Sequence, residues 1–236
     1  MISDEAKAEI VAHAVEDYPH ECCGFVLVSA TGKERVVRCV NSHSDPKNYV
    51  RVSAEEQARV ELLGEKLVFY HSHPDVAATV TDADKASCEA MDLPWIVYAH
   101  PLGLWDHYSP EGWLAPLVGR DFVHGVHDCY SAVRDHYGQV CGIDLPDFER
   151  EDEWWRHGQN LYLDNFAKAG FVQVQDLKKN DVILIQVASD VVNHAAVYLG
   201  ENIIFHHVYG RLSCRAPYGG FWLKNTRMVV RHSSLC

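Results

Sequence analysis

His71 and His73 are the pair whose spacing points most directly to chemistry. They stand at i, i+2 where the short apolar run Lys66-Leu-Val-Phe-Tyr70 ends. That run reads as a strand, so both imidazoles fall on one side of an extended backbone. Neutral imidazole suits Zn²⁺, and Pro74 stops the strand and fixes its exit. Thr81-Asp-Ala-Asp84 then has the pattern of a capping box opening a helix. It puts Asp84 at the third helical position, as a third ligand beside the helix N-terminus. Three protein ligands with a fourth position left for water is the arrangement of a catalytic zinc, which makes water acidic enough to attack a carbonyl. A carboxylate must still take that proton. Glu21, next to Cys22-Cys23-Gly24-Phe25, is the candidate base. Among 15 histidines about one His-x-His pair is expected by chance, so the joint order of these residues carries the weight.

A second group lies further along. Asp128-Cys129-Tyr130 opens a helix, and a cysteine in a first helical turn is expected to have its thiol pKa lowered by the dipole and free N–H groups. Such a nucleophile needs an imidazole partner. His194, at the start of the strand-like run His194-Ala-Ala-Val-Tyr-Leu-Gly200, supplies one. His206 lies on the next strand, across a turn at Gly200 to Asn202, and would orient His194 as a third member of a triad. Period-2 alternation lets only one of His206 and His207 face His194, and the spacing favours His206. His124 and His127 flank the cysteine too; loop histidines of this kind are expected to be solvated, with metal binding a minor reading.

The elements that must position these groups fall into two sets. Ser3 caps a first helix that ends near Tyr18-Pro19. Residues 24–29 and 34–40 read as strands about a Thr31-Gly32 turn. Ser53-Ala-Glu-Glu56 caps a helix to about Leu63. A helix from Thr81 reaches about Met91, and strands follow at 95–99 and from Leu104 to Ser109. Turn-rich sequence covers 109–121. Beyond it a helix spans Cys129 to Tyr137 and a second helical stretch about Glu151 to Ala169, then strands at 182–187, 195–199, 203–208 and 228–231. This is α+β sequence in two domains, 1–110 and 121–236, joined by a linker over 111–120. The 236 residues suit two domains of about 100–130 residues each. A net charge of −12 argues against a nucleic-acid partner. No apolar run reaches the ~20 residues of a spanning helix, and the acidic N-terminus lacks the features of a signal peptide, so a cytoplasmic location and no membrane insertion are expected. The eight cysteines form no CxxC pair and read as reduced thiols.

The first group resembles the JAMM (Mov34/MPN) metallopeptidase family: an upstream glutamate, H-x-H-P, six residues, a serine, two residues and an aspartate, met here by Glu21, His71, His73, Pro74, Thr81 and Asp84. Thr81 replaces the usual serine, which keeps the hydroxyl but is expected to crowd the site with a methyl. The resemblance implies a mixed sheet flanked by helices and a zinc cofactor. The second group resembles the NlpC/P60 family of papain-like cysteine peptidases, with D-C at a helix start and a strand beginning H-x-x-x-Y-L-G. That implies Cys129 as nucleophile, His194 as base, His206 as orienting residue, an antiparallel sheet, and peptidoglycan stem peptides as substrate, typically at D-γ-glutamyl–diaminopimelate bonds. The two domains in this order look like a family of tail assembly proteins of lambda-like phages. The expectation is then a bifunctional peptidase working with other tail-tip proteins in the host cytoplasm during assembly, with the virion tail tip as a further location. A non-catalytic assembly or chaperone protein retaining peptidase folds is the alternative.

Overall fold

In the computed structural model, which describes residues 2–29 and 31–236, the chain divides into two compact units, Met1–Leu114 and Ala115–Cys236. The first begins with α1 (Asp4–Asp17), whose Ser3 cap accepts from the Ala6 amide. Then come β1 (Cys23–Val28), β2 (Glu34–Cys39), α2 (Ala54–Glu61), β3 (Glu65–Pro74), α3 (Asp82–Met91), β4 (Trp95–His100) and β5 (Leu104–Tyr108). The strands form one sheet in the order β2-β1-β3-β4-β5. Only β3 and β4 run parallel; α3 is the crossover that a parallel pair requires.

Strand alternation sorts the side chains onto two faces. Val26, Val68 and Tyr70 pack with Ala6, Ile10 and Ala14 of α1. Phe25, Leu27 and Phe69 pack with Val60 of α2 and Cys88 of α3. His71 and His73 continue the Phe69 register, so β3 presents them to the face covered by α3. Gly24 lies opposite Tyr70, where an added Cβ would sit 2.3 Å from the Val37 carbonyl and 2.6 Å from the Tyr70 hydroxyl. Only glycine fits that crossing of strands.

The second unit opens with α4 (Cys129–His136), which continues as a π-helical turn over Tyr137–Cys141. Its strands are β6 (Phe171–Val174), β7 (Val182–Ile185), β8 (His194–Gly200), β9 (Ile203–His206), β10 (Cys214–Pro217) and β11 (Thr226–His232), with α5 (Leu161–Asn165) before β6 and α6 (Gly220–Asn225) between β10 and β11. They form an antiparallel sheet ordered β10-β9-β8-β7-β11-β6. Ala132 and Val133 of α4 and Tyr137 of the π-helical turn pack on Leu184, Ala195, Val197 and Phe205. Ile183, Ala196 and Ile204 pack on the opposite face with Trp222 of α6.

The continuous helix expected over Glu151 to Ala169 is broken. A short 3-10 helix over Trp154–His157 is followed by α5. Glu153 and Gly158 both adopt positive φ, 49° and 75°, and Gly158 ends the first piece as a left-handed cap. The strands β6 and β10 and the helix α6, four to six residues long, add to the elements expected from sequence.

Candidate active sites

In the first unit, β3 and α3 bring His71, His73 and Asp84 together. The two Nε2 atoms lie 3.1 Å apart. Asp84 Oδ1 is 3.4 Å from His71 Nε2, and Oδ2 is 3.8 Å from His73 Nε2. All three residues are buried, and among the described residues they form the one cluster whose ligand atoms lie within 4.8 Å of one another. A tetrahedral ion with nitrogen and oxygen ligands at about 2.0–2.1 Å holds them about 3.3 Å apart, so the spacing fits zinc. The tautomer fits as well. His73 Nδ1 donates to the Ala77 carbonyl at 3.1 Å, since a carbonyl can only accept, and this leaves the Nε2 lone pair free to bind a metal. His71 Nδ1 is buried without a hydrogen-bond partner.

Asp84 is held from behind. Its Oδ2 accepts from the Thr81 backbone N–H at 2.8 Å and from the Thr81 hydroxyl at 2.7 Å, while its own amide donates back to that hydroxyl. Thr81 is exposed, so the methyl expected to crowd the site has room outside it. Burial raises the Asp84 carboxyl, but His71 and Thr81 outweigh this and bring it down to about 2. Glu21 is buried beside the group. Burial pushes its carboxyl up to about 8, partly offset by His71 and reinforced by Asp84.

Two residues not singled out in the sequence position Glu21. Ser72, the spacer between the two histidines, faces the other way: its hydroxyl accepts from the Cys22 amide at 2.9 Å and its own amide donates to the Cys22 carbonyl. Asn41 ties the Glu21 carbonyl to the loop at 42–51. It donates to Glu21 and Tyr49 carbonyls and accepts from His43 and Arg51 amides.

In the second unit, Cys129 and His194 line one cavity of about 290 Å³, whose walls include the aromatic side chains of Trp154, Tyr162 and Trp222. His194 Nε2 and His206 Nδ1 are 3.1 Å apart. The turn makes this meeting possible: Glu201 and Asn202 have φ of 51° and 56°, the geometry of a tight hairpin, and His206 pairs across β8 with Ala196. Trp222 packs edge-on against His206 at 4.5 Å and tilted over His194 at 5.6 Å. His207 points elsewhere, with Nε2 against the Arg211 carbonyl at 3.1 Å. His124 is half-buried and His127 buried, which corrects the expectation that they are solvated; neither joins a metal-type cluster among the described residues.

Asp128 caps α4 by accepting from the Ser131 amide at 2.9 Å, and Arg150 clamps it, with Nε 2.6 Å from Oδ2 and Nη2 3.1 Å from Oδ1. No short-range sequence pattern marks this partner, 22 residues away in a loop. The Cys129 sulfur lies 3.1 Å from the Tyr162 hydroxyl. Its thiol departs from expectation: burial, helped by Asp128, pushes it up to about 11. Burial also drives His194 down to about 3 and His206 to about 4, with the other histidines adding to it. Thiol and imidazole are therefore both neutral at rest.

Residues 3–111 match the family model for prokaryotic homologs of the JAB domain, and residues 119–231 match the NlpC/P60 family. The chain is 37% identical to "Tail tip assembly protein K" of Escherichia phage N15, over 96% of this chain and 93% of that protein. It is 39% identical to the protein of the same name from Escherichia phage lambda, over 77% of this chain and 89% of that protein. Among solved structures, the NlpC/p60 domain of peptidoglycan hydrolase SagA is similar at 19% identity and a TM-score of 0.34, over 49% of this chain and 89% of that one. With a JAB-type domain followed by an NlpC/P60 domain, and with this identity over nearly its whole length, the chain belongs to the tail tip assembly protein K family.

Proposed function

We propose that the chain is a bifunctional peptidase of a phage tail tip, acting with other tail-tip proteins during assembly and cutting peptidoglycan stem peptides through its second unit. Assembly takes place in the host cytoplasm, and the tail tip of the virion is where wall cleavage would serve DNA entry. No helix of the described residues is long and apolar enough to cross a membrane.

The observation that carries this reading is the His194–His206 contact behind a cysteine in the first turn of α4. For His194 to accept the thiol proton at Nδ1, its Nε2 must carry hydrogen and donate to His206 Nδ1, which fixes both tautomers. The sulfur then attacks the peptide carbonyl, the imidazolium returns its proton to the leaving amine, and water hydrolyses the acyl-enzyme. The backbone N–H of Cys129, at the first helical position where no intrahelical partner exists, would serve the developing oxyanion. Purified protein is expected to release stem-peptide fragments from peptidoglycan, and Cys129→Ala to abolish the release; equal digestion by both would overturn the assignment.

In the first unit His71, His73 and Asp84 would hold zinc, with Thr81 supporting Asp84. Zinc supplies Lewis acidity there, polarising a carbonyl and favouring deprotonation of water. Glu21 is the residue that takes the proton, and the cation would favour its ionised form against the burial that now raises it. A protein component of the tail is the proposed substrate class.

The name that both relatives share favours a second reading, in which the fold serves assembly and the chemistry is dispensable. Normal tails from a Cys129→Ala, His71→Ala double variant would support it; their loss would count against it.

A further inference from the structure

Tyr162 comes from a segment with no role in the chemistry described so far. It lies on α5, 33 residues beyond the cysteine, yet its hydroxyl meets the Cys129 sulfur at 3.1 Å. Among the described residues that sulfur is the hydroxyl's one hydrogen-bond partner. The ring is fixed by edge-on contacts with Trp154 at 6.1 Å and Tyr130 at 6.4 Å. A hydroxyl held this way has one task open to it.

The surroundings make that task matter. When the thiol proton leaves, the sulfur keeps the electron pair in a cavity walled by Phe148, Phe166, Trp154 and Trp222, where an unsolvated anion is costly. The nearby Asp128 carboxylate opposes the charge, and the Arg150 guanidinium that clamps Asp128 favours it. Tyr162 is the side chain whose hydroxyl meets the sulfur.

We propose that Tyr162 is a catalytic residue of the thiol site: its hydroxyl donates a hydrogen bond to the Cys129 sulfur and holds the negative charge as the thiol proton passes to His194. Tyr162 keeps its own proton throughout, so it acts as a donor and not as a base. Hydrogen bonding to the charged form favours that form; the Tyr162 contact pulls the Cys129 thiol down against the burial that raises it. This rests on Cys129 being the nucleophile.

The test reads the thiol without any substrate. The full chain is alkylated with iodoacetamide across a pH series, and the Cys129 peptide is resolved by mass spectrometry from the other cysteines. Tyr162→Phe is expected to raise the midpoint for Cys129 alkylation by about one pH unit or more, so that near pH 8 the reaction slows about tenfold. Trp154→Phe, which loosens the packing of the ring but leaves the hydroxyl, is expected to keep the wild-type midpoint. An unchanged or lowered midpoint in Tyr162→Phe would overturn the proposal, because the hydroxyl would then be accepting from the thiol or only shielding it. An equal rise in Trp154→Phe would overturn it too, by showing that packing alone sets the shift. Because alkylation is independent of wall cleavage, a shifted midpoint in a protein that cuts no peptidoglycan would count against the substrate and leave the role of Tyr162 standing.

Discussion

Each unit contains a pair of imidazoles whose facing nitrogens are 3.1 Å apart, and the two pairs are built to opposite ends. His71 and His73 meet Nε2 to Nε2, with Asp84 beside both and Glu21 close by. His194 and His206 meet Nε2 to Nδ1, with Trp222 over them and no carboxylate acting on either. Burial lowers His71, yet Asp84 and Glu21 overcome it and the net shift is upward. Burial lowers His194 unopposed. The first pair sits in a field that attracts a cation. The second is a closed donor–acceptor link suited to passing one proton. The distance between two histidines therefore says little about their chemistry; the neighbouring charge decides it.

The second site does contain a carboxylate, Asp128, and Arg150 cancels it. Arg150→Met removes that cancellation and should have the largest effect. Asp128, almost fully buried, would be left as an uncompensated charge, which costs about 3–5 kcal/mol. Hydrogen exchange on the full chain is expected to show this as faster exchange across α4 and β8 while β1 and β3 stay protected. Unchanged protection of α4 would mean that Asp128 finds another partner and that the absence of charge around His194 does not depend on Arg150.

Removing one imidazole from each pair should separate the two kinds of site. His71→Ala takes away one of three proposed ligands and is expected to weaken zinc binding by about 100-fold or more, since outer-sphere changes alone cost 10–100-fold. His206→Ala should leave zinc affinity unchanged. Competition with a chromophoric chelator measures both. Comparable losses in the two variants would erase the distinction between the two pairs.

Acidity offers a third separation. His194 has its folded-state pKa depressed to about 3 from 6.5. Between those values the unfolded chain binds the extra proton, so stability must fall as pH drops below about 6.5 and continue falling towards 3. Between pH 7 and 5 His194 alone contributes about 2 kcal/mol of loss, and His206, lowered to about 4, adds to it. Urea unfolding followed by exchange in β8 and β9 should show this loss, and His194→Gln should reduce it. A second unit equally stable at pH 5 and 7 would mean that burial does not keep the pair neutral.

The units also differ in how much of them could be read in advance. Ser53 and Thr81 each announce a helix start through a local contact, and both caps form. The His71/His73 spacing needs only the period of a strand, and β3 extends through Pro74 to provide it. The hairpin that joins His194 to His206 is likewise local, because Gly200 to Asn202 is a turn whose length fixes the register. Arg150, Tyr162 and Trp222 are different. They reach their partners from a loop and two short helices across 22, 33 and 16 residues, and no short-range pattern marks them. The Glu151–Ala169 stretch misled because its apolar spacing is helical, while Gly158 sits in its middle with φ of 75°. The low thiol pKa expected from the helix start failed for a related reason. The helix N-terminus is visible in sequence; the burial that outweighs it is not.

The smallest expected effect concerns the residue that supports the first site. Thr81 does two things with one hydroxyl: it caps α3 through the Asp84 amide and donates to Asp84 Oδ2. Thr81→Ala loses both and should cost about 1 kcal/mol of stability, the usual value of an N-cap, together with weaker zinc binding as Asp84 loses its orientation. Thr81→Ser keeps both contacts. Because Thr81 is exposed, the methyl it removes fills no space in the site, so stability and zinc affinity should both match the parent within a few tenths of a kcal/mol. Thermal unfolding and chelator competition on the two variants check this together. If Thr81→Ser bound zinc markedly more tightly than the parent, the methyl would be pressing on Asp84 after all, and the carboxylate that separates the first imidazole pair from the second would be held under strain rather than simply held.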